Sequence, residues 1–571
     1  MCGIAGIFGE GNIHPMIDVL THRGPDEDGT FVSGEVKLGI RRLKVIDLQT
    51  GSQPIYNEDK SLVVVFNGEI FNYRELREEL IGLGHRFATK SDTEVIVHGY
   101  EQWGEDCLAH FNGQFAFCIY DGDKIFLARD RMGEKPLYYY HKNGRFLFAS
   151  EIKAILTQVE TGPAISEDFW VFDAAVEGKT LFADIHEVPP AHFLVYDGKD
   201  LRKQVYWHIP TEPTLDGDED SLAKRLRDLI EDAVNIRMHA DVPVGLFLSG
   251  GLDSAAMACF AKPEVVFSCR FEMGEKFDEF RYAKIVADHV GAEQFVVTPQ
   301  HEDMKRFLPT IIWHLDQPIA TASTLSEYLL AREAKKHVKV ILGGQGADEL
   351  FGGYIRYLLL DIEHTLGREP EIRNYHSLAR FFWNPQMFDD PARRYYHLIH
   401  RSAPMDHAPY HEMVRRYFQA HDGADLVNAM GFTDINLSLP SLITMNDRSA
   451  AAWGLENRCP FLDHRLVEFA FGLPPGLKLK EFRTKYLLRK ALRGVVPDAI
   501  IDRRDKKGLV VPFRQWLAGP LRKWGKELEA SLHSRIAVPG GAGRGEFDRA
   551  LYTRVCMELW FRNFFPDYAD R

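Results

Sequence analysis

The run VGLFLSGGLDS, residues 244–254, decides the architecture of the longer part of the chain. A short apolar run predicts a strand, Ser249-Gly250-Gly251 breaks it, and the small residues after Ser254 favour a helix. Two adjacent glycines let backbone N–H groups come close to an anion, and the helix start adds a favourable dipole. An ordinary glycine-rich strand-to-helix turn would look the same. The loop lacks the G-x-x-x-x-G-K-[ST] pattern of a Walker A phosphate loop.

Downstream, EVVFSCRF (264–271) predicts a strand, 278–290 a helix and QFVV (294–297) a strand. A helix over 323–337 then precedes the strand VKVIL at 338–342. Strands alternating with helices imply a parallel sheet with helices on its faces. From about residue 360 onward the pattern is mostly helical.

The first two hundred residues read differently. IAGIF, LVVVF, FAFCIY, KIFLAR, PLYYY and RFLFAS are short runs of branched and aromatic residues separated by turn signals such as NG at 112–113 and DG at 121–122. Helical spacing interrupts them near 72–83 and 93–103. A layered sandwich with helices on sheets is expected. The Pro-, Thr- and acid-rich stretch near 209–221 reads as a linker. This divides the chain into 2–208, a linker at 209–221, and 222–571.

Composition sets the frame. The 571 residues are 45% hydrophobic and 26% charged, ordinary values for a protein of several globular domains. The net charge of −13 disfavours general binding to nucleic acid or to an anionic membrane. No apolar run reaches the length of a membrane span, and MCGIAGIFGE lacks the basic start of a signal peptide. Seven scattered cysteines form neither a disulfide framework nor a CxxC metal pair, so a cytoplasmic setting is expected.

Cys2 directly follows the initiator methionine. Once Met1 is removed, the α-amino group of Cys2, with a reference pKa of about 7.7–8.0, can take the proton of its own thiol. By position alone, a buried cysteine in a first strand is the alternative.

The blocks around Cys2 resemble the class II glutamine amidotransferase domain over residues 1–200. They are MCGIAGIFG at the start, HRGPDEDG (22–29), RRLKVIDL (41–48), FNGEIFNY (66–73), SDTEV (91–95), ARDRMGEKPLYY (128–139) and FASEIKAI (148–155). The resemblance implies an α+β N-terminal-nucleophile hydrolase sandwich (αββα) with Cys2 as nucleophile. It implies an oxyanion hole from the Asn67 amide and the Gly68 backbone, donors of the kind a tetrahedral oxyanion needs. Arg42 would clamp the glutamine α-carboxylate, for which a planar fork is suited. Glu69 and Asp92 would accept from the α-ammonium, with the backbone at Val45 and Ile46 lining the pocket. Ile40 stands where the family commonly has His.

The second part resembles the asparagine synthetases, which are adenylating ATP pyrophosphatases. SGGLDS is matched by GGQGADELFGGY (343–354), WGLENRCPFLDHRLVEFA (453–470) and RTKYLLRKAL (483–492). This implies an α/β parallel-sheet ATP-pyrophosphatase domain with a helical C-terminal part. ATP would be held at Leu248, Ser249, Gly250, Gly251, Asp253, Ser254, Cys269, Gly343 and Gly344. Asp253 and Asp348 would bind Mg²⁺, which prefers one or two carboxylates plus phosphate oxygens. Lys485 would stabilise the charge that develops in adenylation and amide formation. Lys506 and Lys507 resemble a basic loop that closes over pyrophosphate.

Together the halves resemble glutamine-hydrolysing asparagine synthetase. The implied substrates are glutamine, ATP, and aspartate or another small carboxylate such as a uronic acid, with ammonia passing between the sites. A homodimer is the family expectation; nucleic acid and membrane partners are not expected. Gln345 stands where Glu is common and Gly343 where Ser is common, and LDQPIATAST (315–324) lacks an arginine found in some aspartate-using members.

Overall fold

The computed structural model describes residues 1–274, 279–321, 323–368, 390–399, 408–421, 425–505, 511–538 and 550–568. Lys506 and Lys507 lie outside them. Twelve strands fill the first 205 residues in two six-stranded sheets. The first sheet runs Ile185–Glu187, Tyr138–Lys142, Arg145–Ala149, Gly3–Phe8, Val36–Arg42, Glu27–Ser33. The second runs Leu201–Val205, His192–Tyr196, Ile125–Arg129, Gly113–Tyr120, Val63–Ile70, Ile55–Tyr56.

Side-chain alternation explains the layers. Val63 and Val65 join Cys2, Ile4, Leu38 and Phe148 in the core between the sheets, while Val64 and Phe66 face the helices Tyr73–Gly82 and Glu94–Trp103. In the first sheet Ile4 faces inward, and Ala5 and Ile7 face the helix Ile13–Asp18. Strands covered on both faces read as continuous apolar runs, as LVVVF does. The outcome is the expected helix–sheet–sheet–helix sandwich. Six of its strands, including Val36–Arg42 and Glu27–Ser33, fall outside the runs recognised in the sequence.

The next segment docks: Thr214 N and Leu215 N donate to the Gly472 carbonyl at 3.0 and 2.9 Å. Asp218 caps the helix Glu219–Arg237 by accepting from Asp220 N and Ser221 N, both at 2.9 Å. A five-stranded, all-parallel sheet follows, in the order Glu293–Val297, Val265–Cys269, Val244–Phe247, Val340–Leu342, Glu456–Arg458. Val244–Phe247 leads outward through the next two strands in one direction, while Val340–Leu342 lies on its other side. The order therefore reverses between these two strands, and a ligand crevice is expected at their carboxyl ends. The described residues from 355 onward are mainly helical, apart from Glu456–Arg458. Among the described residues, no helix is long and apolar enough to cross a membrane.

Candidate active sites

Two sites form, one in each layered unit. In the first, Cys2 enters the strand Gly3–Phe8, and its thiol accepts from Leu43 N at 3.4 Å. Burial pushes the thiol pKa up. Asn67 lies two residues beyond Val65 on the same strand, so its side chain faces the inter-sheet layer that holds Cys2. Asn67 is fully buried, and neither atom of its amide has a hydrogen-bond partner. A buried amide left unsatisfied is costly unless a ligand completes it. Gly68 adopts φ +150°, and a Cβ there would sit 2.0 Å from the Gln114 carbonyl oxygen. Only glycine lets the neighbouring strand approach this closely.

Cys2, Arg42, Val45, Ile46, Gly68, Glu69 and Asp92 line one pocket. Arg42 Nη2 donates to the carbonyls of Ile46 and Asp47 at 3.0 and 2.9 Å, leaving Nη1 to meet the Glu27 carboxylate at 3.1 Å. The Val45 carbonyl is taken by Asp241 N at 2.9 Å. Asp92 accepts from Ile70 N at 3.1 Å, and burial raises its pKa to about 6. Burial and the nearby Asp92 push Glu69 well above the usual carboxylate range, and Glu69 Oε1 has no partner. Two buried acids side by side, one with a free oxygen, suit a cationic ligand group.

Sequence reasoning missed Glu456, which comes from the parallel sheet and lines the same pocket. Arg458, on the same strand, bonds Glu456 at 2.7 Å and Glu69 at 2.8 Å. Glu456 lies in the 453–470 block, but three consecutive polar residues carry no strand signal, and nothing in the sequence ties them to the Cys2 pocket.

The N-terminus is sealed between the units. The Met1 ammonium is fully buried and donates to the Leu455 carbonyl at 3.1 Å; burial lowers its pKa to about 5. Arg23 Nε holds the Cys2 carbonyl at 2.9 Å. While Met1 is in place, the Cys2 nitrogen is a peptide amide and cannot accept a proton.

The second site sits at the reversal of strand order. Ser249-Gly250-Gly251 follows Val244–Phe247 and leads into the helix Leu252–Ala261. Gly250 has φ +79°, and a Cβ there would lie 2.5 Å from Ala283 N. The hydroxyls of Ser249 and Ser254 face each other at 3.1 Å and tie the loop together. Leu248 is buried, its N–H donating to the Phe267 carbonyl at 2.8 Å. Gly343 and Gly344 follow Val340–Leu342 beside this helix; a Cβ on Gly344 would meet Met257 Cε at 3.3 Å. Cys269 ends the next strand, its thiol 3.6 Å from the Ser326 hydroxyl.

Lys485 Nζ lies 2.6 Å from Asp253 Oδ1 and 2.5 Å from Asp348 Oδ1. An ammonium thus stands between the two carboxylates that the sequence pairs for a cation. They fit Mg²⁺, a hard ion with oxygen ligands. Lys485 takes φ +57°, uncommon outside glycine, and such backbone strain clusters at functional sites. A cavity of about 470 Å³ opens beside it, lined also by Arg483, Arg489, Arg503 and Arg504. Arg503 braces the loop by donating to the Gly250 carbonyl at 3.2 Å. Arg483 and Arg489 lie in the RTKYLLRKAL block without a role of their own there, and Arg503 and Arg504 read in the sequence as solvated surface charge.

An asparagine synthase family model matches residues 225–556, and a glutamine amidotransferase domain model matches residues 1–207. The chain belongs to the asparagine synthase family. Among its relatives in that family, asparagine synthetase [glutamine-hydrolyzing] 1 of Bacillus subtilis is 34% identical over 98% of this chain and 96% of its own length. Asparagine synthetase [glutamine-hydrolyzing] 3 of the same organism is 32% identical, over 88% of this chain and 86% of its own. Amidase chyE of Penicillium rubens is 28% identical over 90% of this chain and 86% of its own length. The two family matches meet the two candidate sites: Cys2 and its pocket fall mainly in one, and Asp253, Asp348 and Lys485 in the other.

Proposed function

We propose that the chain makes asparagine from aspartate, with glutamine as nitrogen donor and ATP as cosubstrate, releasing glutamate, AMP and pyrophosphate. The glutaminase unit is 2–208, joined through 209–221 to a synthetase unit at 222–571. After removal of Met1, the Cys2 amine takes the thiol proton, and the sulfur attacks the glutamine side-chain amide. Asn67 and the Gly68 N–H stabilise the oxyanion, and ammonia leaves with the proton. Water then cleaves the thioester to glutamate. Arg42 holds the substrate carboxylate, and Glu69 and Asp92 hold its ammonium.

At the second site, the aspartate side-chain carboxylate attacks the α-phosphorus of ATP and expels pyrophosphate. Ammonia then displaces AMP. Leu248, Ser249, Gly250, Gly251, Ser254, Cys269, Gly343 and Gly344 form the nucleotide bed. Lys485 offsets negative charge on the transferring phosphoryl group. Asp253 and Asp348 would hold Mg²⁺, which supplies charge neutralisation at the ATP phosphates when bound.

The observation that carries this reading is Lys485 held by Asp253 and Asp348 in an arginine-lined cavity, in one chain with a Cys2 pocket. Incubation with glutamine, ATP, Mg²⁺ and aspartate tests it. Asparagine, AMP and pyrophosphate are expected in equal amounts. Pyrophosphate release that needs a different carboxylate, with no asparagine formed, overturns the choice of acceptor.

A further inference from the structure

A second set of convergent ligands lies on the outer side of the glutaminase unit. Glu58 stands in the turn between Ile55–Tyr56 and Val63–Ile70, and His85 follows the helix Tyr73–Gly82. His98 and Glu101 share one face of the helix Glu94–Trp103. One ligand atom from each lies within 4.8 Å of all the others. We propose that Glu58, His85, His98 and Glu101 form a tetrahedral site for a divalent transition-metal ion of the zinc class.

The spacing carries the argument. His85 Nδ1 lies 3.6 Å from Glu58 Oε1 and 3.4 Å from Glu101 Oε2. His98 Nδ1 lies 3.4 Å from Glu58 Oε2 and 3.4 Å from Glu101 Oε2. Good N–H···O bonds centre on about 2.9 Å, so these contacts are long for hydrogen bonds. Zinc bonds to nitrogen and oxygen are about 2.0–2.2 Å, and the edges of such a tetrahedron are about 3.3–3.6 Å. Taken through Glu58 Oε2, the His98–Glu58, His98–Glu101 and His85–Glu101 edges are each 3.4 Å and match, while His85 meets the other Glu58 oxygen at 3.6 Å. Two carboxylates and two neutral imidazoles also balance a dication.

The groups behind the four residues are arranged as metal ligands require. His85 Nε2 meets Gln102 Oε1 at 3.1 Å, a contact that places the proton on Nε2 and turns the Nδ1 lone pair inward. His98, whose side chain is wholly buried, has Nε2 3.5 Å from Glu94 Oε1. Glu94 is itself fixed by Ala88 N and Thr89 N at 2.6 and 2.7 Å. Arg86 N donates to Glu58 Oε1 at 2.7 Å, and Asn57 Nδ2 to Glu101 Oε1 at 3.2 Å. Four protein ligands leave no open position, which marks a structural site. The N₂O₂ set disfavours calcium and magnesium, which take six or more oxygens. A bound ion would staple the turn at Glu58 and the segment bearing His85 onto the helix.

The test uses the full chain carrying Cys2→Ala, which removes the competing N-terminal thiol. The protein is stripped with chelator and titrated with Zn²⁺ against a chromophoric competitor. One ion per chain is expected, with an X-ray absorption spectrum of two imidazole nitrogens and two oxygens. His85→Ala and Glu101→Gln, at partly exposed positions, should each weaken binding at least tenfold while the metal-free circular dichroism stays unchanged. No binding above the competitor, undiminished binding by both variants, or a sulfur-dominated spectrum overturns the proposal.

Discussion

Arg458 Nη2 lies 2.8 Å from Glu69 Oε2, joining the Cys2 pocket to the edge strand of the parallel sheet. The Arg458 carbonyl also accepts from Gly343 N at 2.9 Å, at the start of the GGQGADE block. One residue therefore touches both sites through its two ends. The guanidinium pulls the Glu69 carboxyl down against the burial that raises it, so without Arg458 Glu69 is still less able to carry the charge that attracts an ammonium. Arg458→Met should raise the KM for glutamine at least tenfold. Arg458→Lys should recover part of the loss, because it restores charge without the fork. Removing one partner of a buried pair costs about 3–5 kcal/mol, so glutaminase kinetics must be read beside a melting curve.

Asp92 should give the Cys2 pocket a pH dependence. Its carboxyl titrates near 6 because burial disfavours the charge. Below that pH it is neutral and loses its attraction for the glutamine ammonium. The KM for glutamine should rise as pH falls through 6, and Asp92→Asn should give a high KM at every pH. Stability runs the other way. A carboxyl whose folded pKa lies above its unfolded value of about 3.9 contributes most below that value, and the contribution is lost as pH rises through 6. Glutaminase assays and melting curves from pH 5 to 8 separate the two effects.

Gly353 separates the two chemistries. A Cβ there would stand 1.9 Å from Asp348 Oδ1 and 2.3 Å from Lys485 Cε. Gly353→Ala must push Asp348 off Lys485. ATP–pyrophosphate exchange should fall by about 10²–10³, the usual loss when one charge-stabilising group is removed from a site. Glutamine hydrolysis should stay within about twofold in an assay without ATP, because the Cys2 pocket shares no residue with this cluster.

The sequence reveals what is local. SGGLDS announces itself because strand, glycines and helix are consecutive, and Cys2 because the nucleophile and its base share one residue. Glu456–Arg458 is hidden for the opposite reason. It has three residues, all polar, and becomes a strand only because Val340–Leu342 lies beside it. Arg503 reads as surface charge until the fold brings it to Gly250. His85 and Glu58 lie 27 residues apart and meet only when a helix and a hairpin turn pack together. Glu27–Ser33 escapes notice because it is a largely polar edge strand, buried on neither face along its length.

Asn457 offers a way to measure communication between the sites. It lies between Glu456, in the glutamine pocket, and Arg458, and a Cβ on Gly343 would sit 2.8 Å from Asn457 Oδ1. That oxygen and Asn446 Oδ1 are both buried and without partners. Two bare acceptors between the sites suit a small donor such as ammonia. Asn457→Leu should leave glutamine hydrolysis and ATP–pyrophosphate exchange nearly intact. Glutamate formed per asparagine should rise well above one. An unchanged ratio would remove Asn457 from the route.

The contact between the units is itself charged and dry. Glu151 of the glutaminase unit accepts from Arg23 at 2.8 Å and meets Arg448 of the synthetase unit at 2.5 Å. Arg23 in turn bonds Asp447 at 2.9 Å, and Lys153 meets Asp316 at 2.7 Å. Burial pushes the Glu151 pKa up, but Arg448, His22 and Lys153 outweigh it and hold the carboxyl well below its usual range. A depressed carboxyl contributes stability above its unfolded pKa of about 4.3, and that contribution is lost as pH falls through the folded value. Glu151→Gln keeps the shape and removes the charge, leaving Arg23 and Arg448 undercompensated in a dry interface. The expected cost is about 3–5 kcal/mol at neutral pH. The difference from the parent should begin to narrow only below the unfolded pKa, where the unfolded parent takes up a proton and the folded one does not. Calorimetry at pH 7.5 and pH 4 should therefore still show most of it at the lower pH. Equal melting temperatures at pH 7.5 would mean that the cluster does not hold the units together.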